Sequence, residues 1–120
     1  MSYPKDPPTL FIDIDGSLLR HEISTLCCDT GHVPTVLPGT INKLMGWKSK
    51  GYKIILTTGR QASREATEAQ LKMLGIPYDQ LITDVGSGVR VLINDKKPDG
   101  TITAIAFSPD RDQGVGDIEI

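Results

Sequence analysis

The run "TLFIDIDG", residues 9–16, constrains this chain more than any other stretch. Thr9 to Asp13 is apolar up to its last residue, the pattern of a strand covered on both faces. It nevertheless delivers two carboxylates, Asp13 and Asp15, next but one to each other. Unpaired charge is costly to bury. The acids therefore belong at the open carboxyl end of a buried strand, with Gly16 turning the chain away.

A strand covered on both faces needs helices to cover it, and the sequence supplies them. "PGTINKLMGWKSKG" reads as a helix, with Thr40 as N-cap, Gly51 as its stop, and Trp47 in the core or at a subunit contact. "YKIILTT" is a second buried strand, and "SREATEAQLKMLG" a second helix capped by Ser63 and ended by Gly75. "DQLIT" (79–83) predicts a third strand, "VRVLIND" (89–95) a fourth, and the alternating "TITAIAF" (101–107) a fifth at an edge. "RHEIS" and "PTVL" flank the turn chemistry of "CCDTGHVP" and predict a small hairpin. Strands alternating with helices imply right-handed βαβ units. The expected fold is α/β: a Rossmann-like, three-layer α/β/α domain over residues 1–120, with a mainly parallel five-stranded sheet and a β-hairpin flap.

Composition narrows the class. A net charge of −2 argues against a general nucleic-acid or anionic-membrane binder. No run approaches the apolar length of a membrane span, and "MSYPKDPP" does not read as a signal peptide. Cys27 and Cys28 are adjacent, poorly placed for a disulfide and too few for a zinc site. The expectation is a cytoplasmic protein.

Three apolar runs end in polar clusters: Asp13 and Asp15; Thr57, Thr58, Gly59 and Arg60; and Asn94, Asp95, Lys96, Lys97 and Asp99. Ligands in open α/β sheets bind beyond the carboxyl ends of strands. Gathered carboxylates repel unless a cation neutralises them, and hard oxygen donors without cysteine or histidine suit Mg²⁺. Gly16 and Gly59 let main chain approach a ligand, and exposed N–H groups cradle an anion. Two inequivalent acids beside such a site suit phosphoryl transfer, one attacking phosphorus and the other moving the leaving oxygen's proton.

These three segments, in this order, resemble the motifs of the haloacid dehalogenase superfamily. "FIDIDGSLL" is similar to its first motif, "IILTTGR" to its second and "VLINDKKPD" to its fourth. Ser17 stands where the family usually has threonine, and the family's upstream phosphate-binding lysine has no clear counterpart. The resemblance implies that Asp13 is the nucleophile and Asp15 the general acid and base. It implies a Mg²⁺ held by Asp13, Asp15, Asp95 and Asp99, and a phosphoryl group bound by Thr58 and Gly59. Lys97 or Lys96 would supply the positive charge, because Arg90 falls at the wrong end of the expected fourth strand. The short spans between motifs resemble cap-less members, leaving Arg60, Arg20 and His21 to contact substrate.

The function expected is a Mg²⁺-dependent phosphatase acting on a phosphosugar or similar small metabolite through an aspartyl-phosphate. A polynucleotide-end phosphatase is the alternative substrate class. A receiver-like signalling module or a phosphate-binding module without turnover is the alternative of another kind. An open mouth also leaves room for a homo-oligomer. Taken singly, Asp15-Gly16 and Asp99-Gly100 are ordinary turn chemistry, and Lys96, Lys97, His21 and His32 are ordinary surface residues.

Overall fold

The computed structural model describes residues 6–22 and 33–120. Its elements in chain order are β1 (Thr9–Asp13), α1 (Thr40–Ser49), β2 (Lys53–Thr57), α2 (Arg64–Leu74) and β3 (Gln80–Ile82). The strands form one parallel sheet in the order β1-β2-β3. Ile54 and Leu56 of the central strand β2 are fully buried. Around them gather Leu44 and Trp47 of α1, Leu71 of α2, and Ile14, Leu18 and Leu19 from the turn after β1.

Local chemistry explains the helix limits. Ser63 caps α2 by accepting from Ala66 N at 3.1 Å, and Gly75 ends it at φ 71°. At α1 the expectation shifts by one residue. Gly39 takes the cap position at φ 85°, and Thr40 is the first helical residue. The Thr40 hydroxyl instead donates to Leu18 O at 2.8 Å, pinning the helix to the chain leaving β1. Asp79 anchors the start of β2: its N–H donates to Ile54 O at 2.8 Å, and its carboxylate accepts from Ile54 N at 2.7 Å and Lys48 Nζ at 2.6 Å. At the base of the expected hairpin Leu19 bridges Val36 antiparallel and Arg20 N donates to Thr35 O, without forming strands; residues 23–32 lie outside the described residues. The C-terminal tail docks, with Val115 buried in the core and Tyr52 Oη donating to Ile120 O at 3.1 Å.

Among the described residues the sheet has three strands, against the five expected. Residues 89–95 and 101–107 lie outside any strand and are largely exposed. The physical reason is connectivity. β3 ends at the carboxyl side of the sheet, and residues 83–88 alone lead to the expected fourth strand. A parallel neighbour must begin at the amino side, which takes a crossover of roughly a dozen residues or more. The link is too short, so the chain leaves the sheet as an arm, residues 86–110. At its tip Gly100 N donates to Lys97 O at 2.8 Å, Lys97 N to Thr101 O at 3.0 Å, and Asn94 Nδ2 to Thr103 Oγ1 at 2.7 Å.

Two substitutions test this core. Leu56→Ala is expected to cost about 2–5 kcal/mol in denaturant unfolding. The Asp79 carboxyl is held below its ordinary value of 3.8, first by the Ile54 N–H and then by Lys48. Its stabilisation is therefore present above that value and lost as pH falls through the depressed one. Asp79→Ala is expected to lower the melting temperature at neutral pH, with the gap to wild type narrowing below about pH 3.8.

Candidate active site

The parallel register sets Asp13 opposite Thr57, with Ile14 N donating to Thr57 O at 3.2 Å. Both strands thus end side by side. Beyond Asp13 the chain closes a tight loop: Leu18 N and Leu19 N both donate to Ile14 O, and Gly16 N donates to Leu19 O at 2.7 Å. Gly16 adopts φ 92°, which a side chain would strain. This loop buries Ile14 and lifts Asp13 and Asp15 to the open end.

The two acids sit in unlike surroundings. Burial pushes the Asp13 carboxyl above its ordinary value, and the neighbouring Asp15 charge adds to this. Arg90, the Ile14 N–H and the Ser17 hydroxyl oppose the shift. Asp15 is clamped: Arg60 Nε donates to its Oδ2 and Arg60 Nη2 to its Oδ1, both at 2.7 Å. The Arg60 side chain is 3% exposed and also donates through Nη1 to Gln70 Oε1 of α2. A two-pronged, nearly buried pair is far stronger than a surface ion pair. Arg60 N donates to Thr58 Oγ1 at 3.0 Å, joining the buried Thr58 to the same network.

Five of the expected site residues are therefore brought together: Asp13, Asp15, Thr58, Gly59 and Arg60. Arg60, expected to face substrate, instead holds Asp15. Gly59 has a packing reason as well, since a Cβ there would lie 2.3 Å from Gly86 O at the base of the arm. Arg20 and His21 lie exposed on the loop that follows the acids; Arg20 N donates to Thr35 O at 2.8 Å and His21 N to Asp112 Oδ1 at 2.6 Å. Asp95, Lys96, Lys97 and Asp99 lie in the outer part of the arm, fully accessible. Asp99 is occupied there by Thr101, whose Oγ1 and N donate at 2.6 and 2.9 Å and hold the carboxyl low. Among the described residues, no group of three metal-ligating acids, histidines or cysteines forms. His32, Cys27 and Cys28 lie outside the described residues.

Four residues at the site were not expected in it. Arg90, placed by the sequence at the far end of a strand, stays at the base of the arm, its guanidinium bound to Gly86 O and Gly88 O and close enough to act on Asp13. The short link after β3 was the signal for this. Arg111 crosses the turn, its Cγ 3.4 Å from where a Gly16 Cβ would be. Gln70 and Ser17 orient Arg60 and Asp13. No sequence spacing marks Arg111 or Gln70.

The chain matches no protein-family model and no curated protein. Solved structures do resemble it. A chain of the Pnkp1/Rnl/Hen1 complex is 28% identical at a TM-score of 0.56, over 74% of this chain and 32% of its own length. A second structure, of the Pnkp1/Rnl/Hen1 RNA repair complex, is 29% identical at 0.50 over 64% of this chain and 25% of its own length. The D,D-heptose 1.7-bisphosphate phosphatase of B. bronchiseptica, complexed with magnesium and phosphate, shares the fold at 14% identity and a TM-score of 0.50, over 66% of this chain and 50% of its own. This chain thus shares a fold with the heptose bisphosphate phosphatase and with the Pnkp1/Rnl/Hen1 chain, and spans about a third of the latter's length.

The raised Asp13 carboxyl carries a stability consequence. Ionised Asp13 is disfavoured by the fold, so the penalty is present above its raised value and disappears as pH falls below the ordinary 3.8. Asp13→Asn is expected to raise the melting temperature at pH 7 by a few degrees, and the difference should vanish in acid. Equal melting temperatures at neutral pH would contradict the burial of this charge.

Proposed function

We propose that the chain is a Mg²⁺-dependent phosphatase of phosphomonoesters, working through a phosphoryl group carried on Asp13. The observation that supports it is the inequivalence of the two acids at one strand end. Asp13 is partly desolvated and has a carboxylate available to attack, whereas Asp15 is held rigidly by Arg60 beside it. The fold shared with a magnesium- and phosphate-bound phosphatase supports the same class.

In this reading an Asp13 oxygen attacks phosphorus while the bond to the leaving oxygen breaks, and Asp15 gives that oxygen its proton. Water then attacks the phosphorylated Asp13, Asp15 takes the water's proton, and inorganic phosphate leaves with the Asp13 carboxylate restored. Arg60 holds both Asp15 oxygens, so one of these contacts has to loosen for Asp15 to pass a proton to the leaving oxygen. The Thr58 hydroxyl, which accepts from Arg60 N, keeps its own proton to donate to a phosphoryl oxygen. Arg90 and Arg111 stand in for the lysine that the sequence seeks at 96 or 97.

The donor chemistry fits a magnesium ion: the Asp13 carboxylate is partly desolvated beside a second acid, and Mg²⁺ needs only one or two protein carboxylates beside phosphate and water. The Asp13 carboxylate and the Asp15 main-chain carbonyl would hold it. When bound it neutralises the phosphoryl group's charge.

A phosphosugar-like metabolite is one substrate class and a phosphorylated RNA end the other; the likeness to a chain of an RNA repair complex, at 29% identity, supports the second. The decisive assay is phosphate release from a generic aryl phosphate, with Mg²⁺ and with EDTA, followed by a hexose phosphate and a 3′-phosphorylated oligoribonucleotide. Turnover is expected only with Mg²⁺, with Asp15→Asn slower by about 10²–10⁴-fold. Metal-independent turnover, or full activity in Asp13→Asn, would sink the mechanism.

A further inference from the structure

The arm of residues 86–110 carries apolar side chains that lie exposed among the described residues. Val89, Val91, Leu92 and Ile93 of the first limb are 90%, 77%, 59% and 91% exposed. Ile102, Ile105 and Phe107 are exposed along the second. Among the described residues, the main-chain hydrogen bonds of the arm are confined to its tip and its two ends. A β-branched apolar segment whose amides find no main-chain partner is a strand without a sheet.

The same chain holds a sheet without its last strand. β1 pairs with β2 alone among the described residues. Lys53 N donates to Pro8 O and Ile14 N to Thr57 O, so the even-numbered residues of β1 turn their main chain to β2. Thr9, Phe11 and Asp13 therefore present their N–H and C=O groups to the open edge, where the Phe11 side chain is 54% exposed.

The arm is poorly placed to fill its own edge. Its first end is clamped to the open end of the sheet, with Val85 N donating to Thr58 O at 3.4 Å and Gly86 packed on Gly59. Its second end is clamped there too, with Asp112 N donating to Gly16 O at 2.8 Å and Asp112 Oδ1 accepting from His21 N. Residues 83–88 are too short a crossover to start a parallel strand beside β1. A second molecule has no such tether.

We propose that two copies of this chain exchange arms, residues 89–93 of each pairing with the open edge of β1, at Thr9, Phe11 and Asp13, of the other. The pairing is isologous, because each copy carries both the donor limb and the acceptor edge. It adds a strand to each sheet by main-chain hydrogen bonds and buries Val91, Ile93 and Phe11. The inference does not rest on phosphatase activity.

Sedimentation velocity of the wild-type chain is expected to give twice the monomer mass. Ile93→Asp places a charge in the paired limb. Phe11→Pro removes an N–H that faces only the open edge, leaving the bonds to β2 intact. Each is expected to sediment as a monomer with the circular dichroism of the folded chain. Hydrogen exchange of the wild type alone, across a dilution series, supplies a readout that no variant's misfolding can disturb. Residues 9–13 and 89–93 are expected to lose protection together on dilution. A wild-type monomer at every concentration, a dimer that survives both substitutions, or protection of one segment without the other overturns the proposal.

Discussion

Everything at the candidate site follows from the parallel pairing of β1 with β2 in the register that sets Asp13 opposite Thr57. A shift of one residue would turn every side chain of β1 to the other face. The register is held by the apolar residues of β1 and β2 in the core and by the main-chain bonds at its two ends, Lys53 N to Pro8 O and Ile14 N to Thr57 O, while Asp79, whose side chain and main chain both bond Ile54, fixes the other side of β2. With it in place, Thr58 and Arg60 necessarily emerge next to Asp13 and Asp15. Arg60 then reaches across to Asp15, and Gln70 of α2 steadies Arg60 from behind. The chain of support runs from core packing to strand register to a fixed carboxylate.

That fixed carboxylate is what separates two chemically identical side chains. Asp13 and Asp15 differ in the sequence only by position. In the fold one loses solvent and the other gains a two-pronged cation. A general principle of acid–base sites is that environment, not residue type, assigns the roles. Here the assignment is made by a single arginine lying two residues after Thr58, at the end of the second apolar run.

The sequence made much of this legible. Both helices, the first two strands, the Ser63 cap and the Gly75 stop were readable because local periodicity and capping chemistry act over a few residues. Asp13, Asp15, Thr58 and Arg60 were readable as a cluster because each ends an apolar run. What misled was "VRVLIND": it has the composition of a buried strand, but burial depends on a connection long enough to return the chain to the other end of the sheet. Strand propensity is local and crossover length is not. The same oversight removed Asp95 and Lys97 from the vicinity of Asp13 and concealed Arg90, which the arm's base keeps close. Arg111 and Gln70 reach the site only through tertiary packing, so nothing in the sequence announces them.

The account turns on Asp13 as the atom that receives the phosphoryl group. Rapid acid quench of the chain during turnover of an aryl phosphate, followed by peptide mass spectrometry, tests this directly. The peptide containing Asp13 is expected to carry the added mass of one phosphoryl group, at higher occupancy in a variant of Asp15 that slows hydrolysis. A phosphoryl group on another residue, or none under conditions of measured turnover, would contradict it.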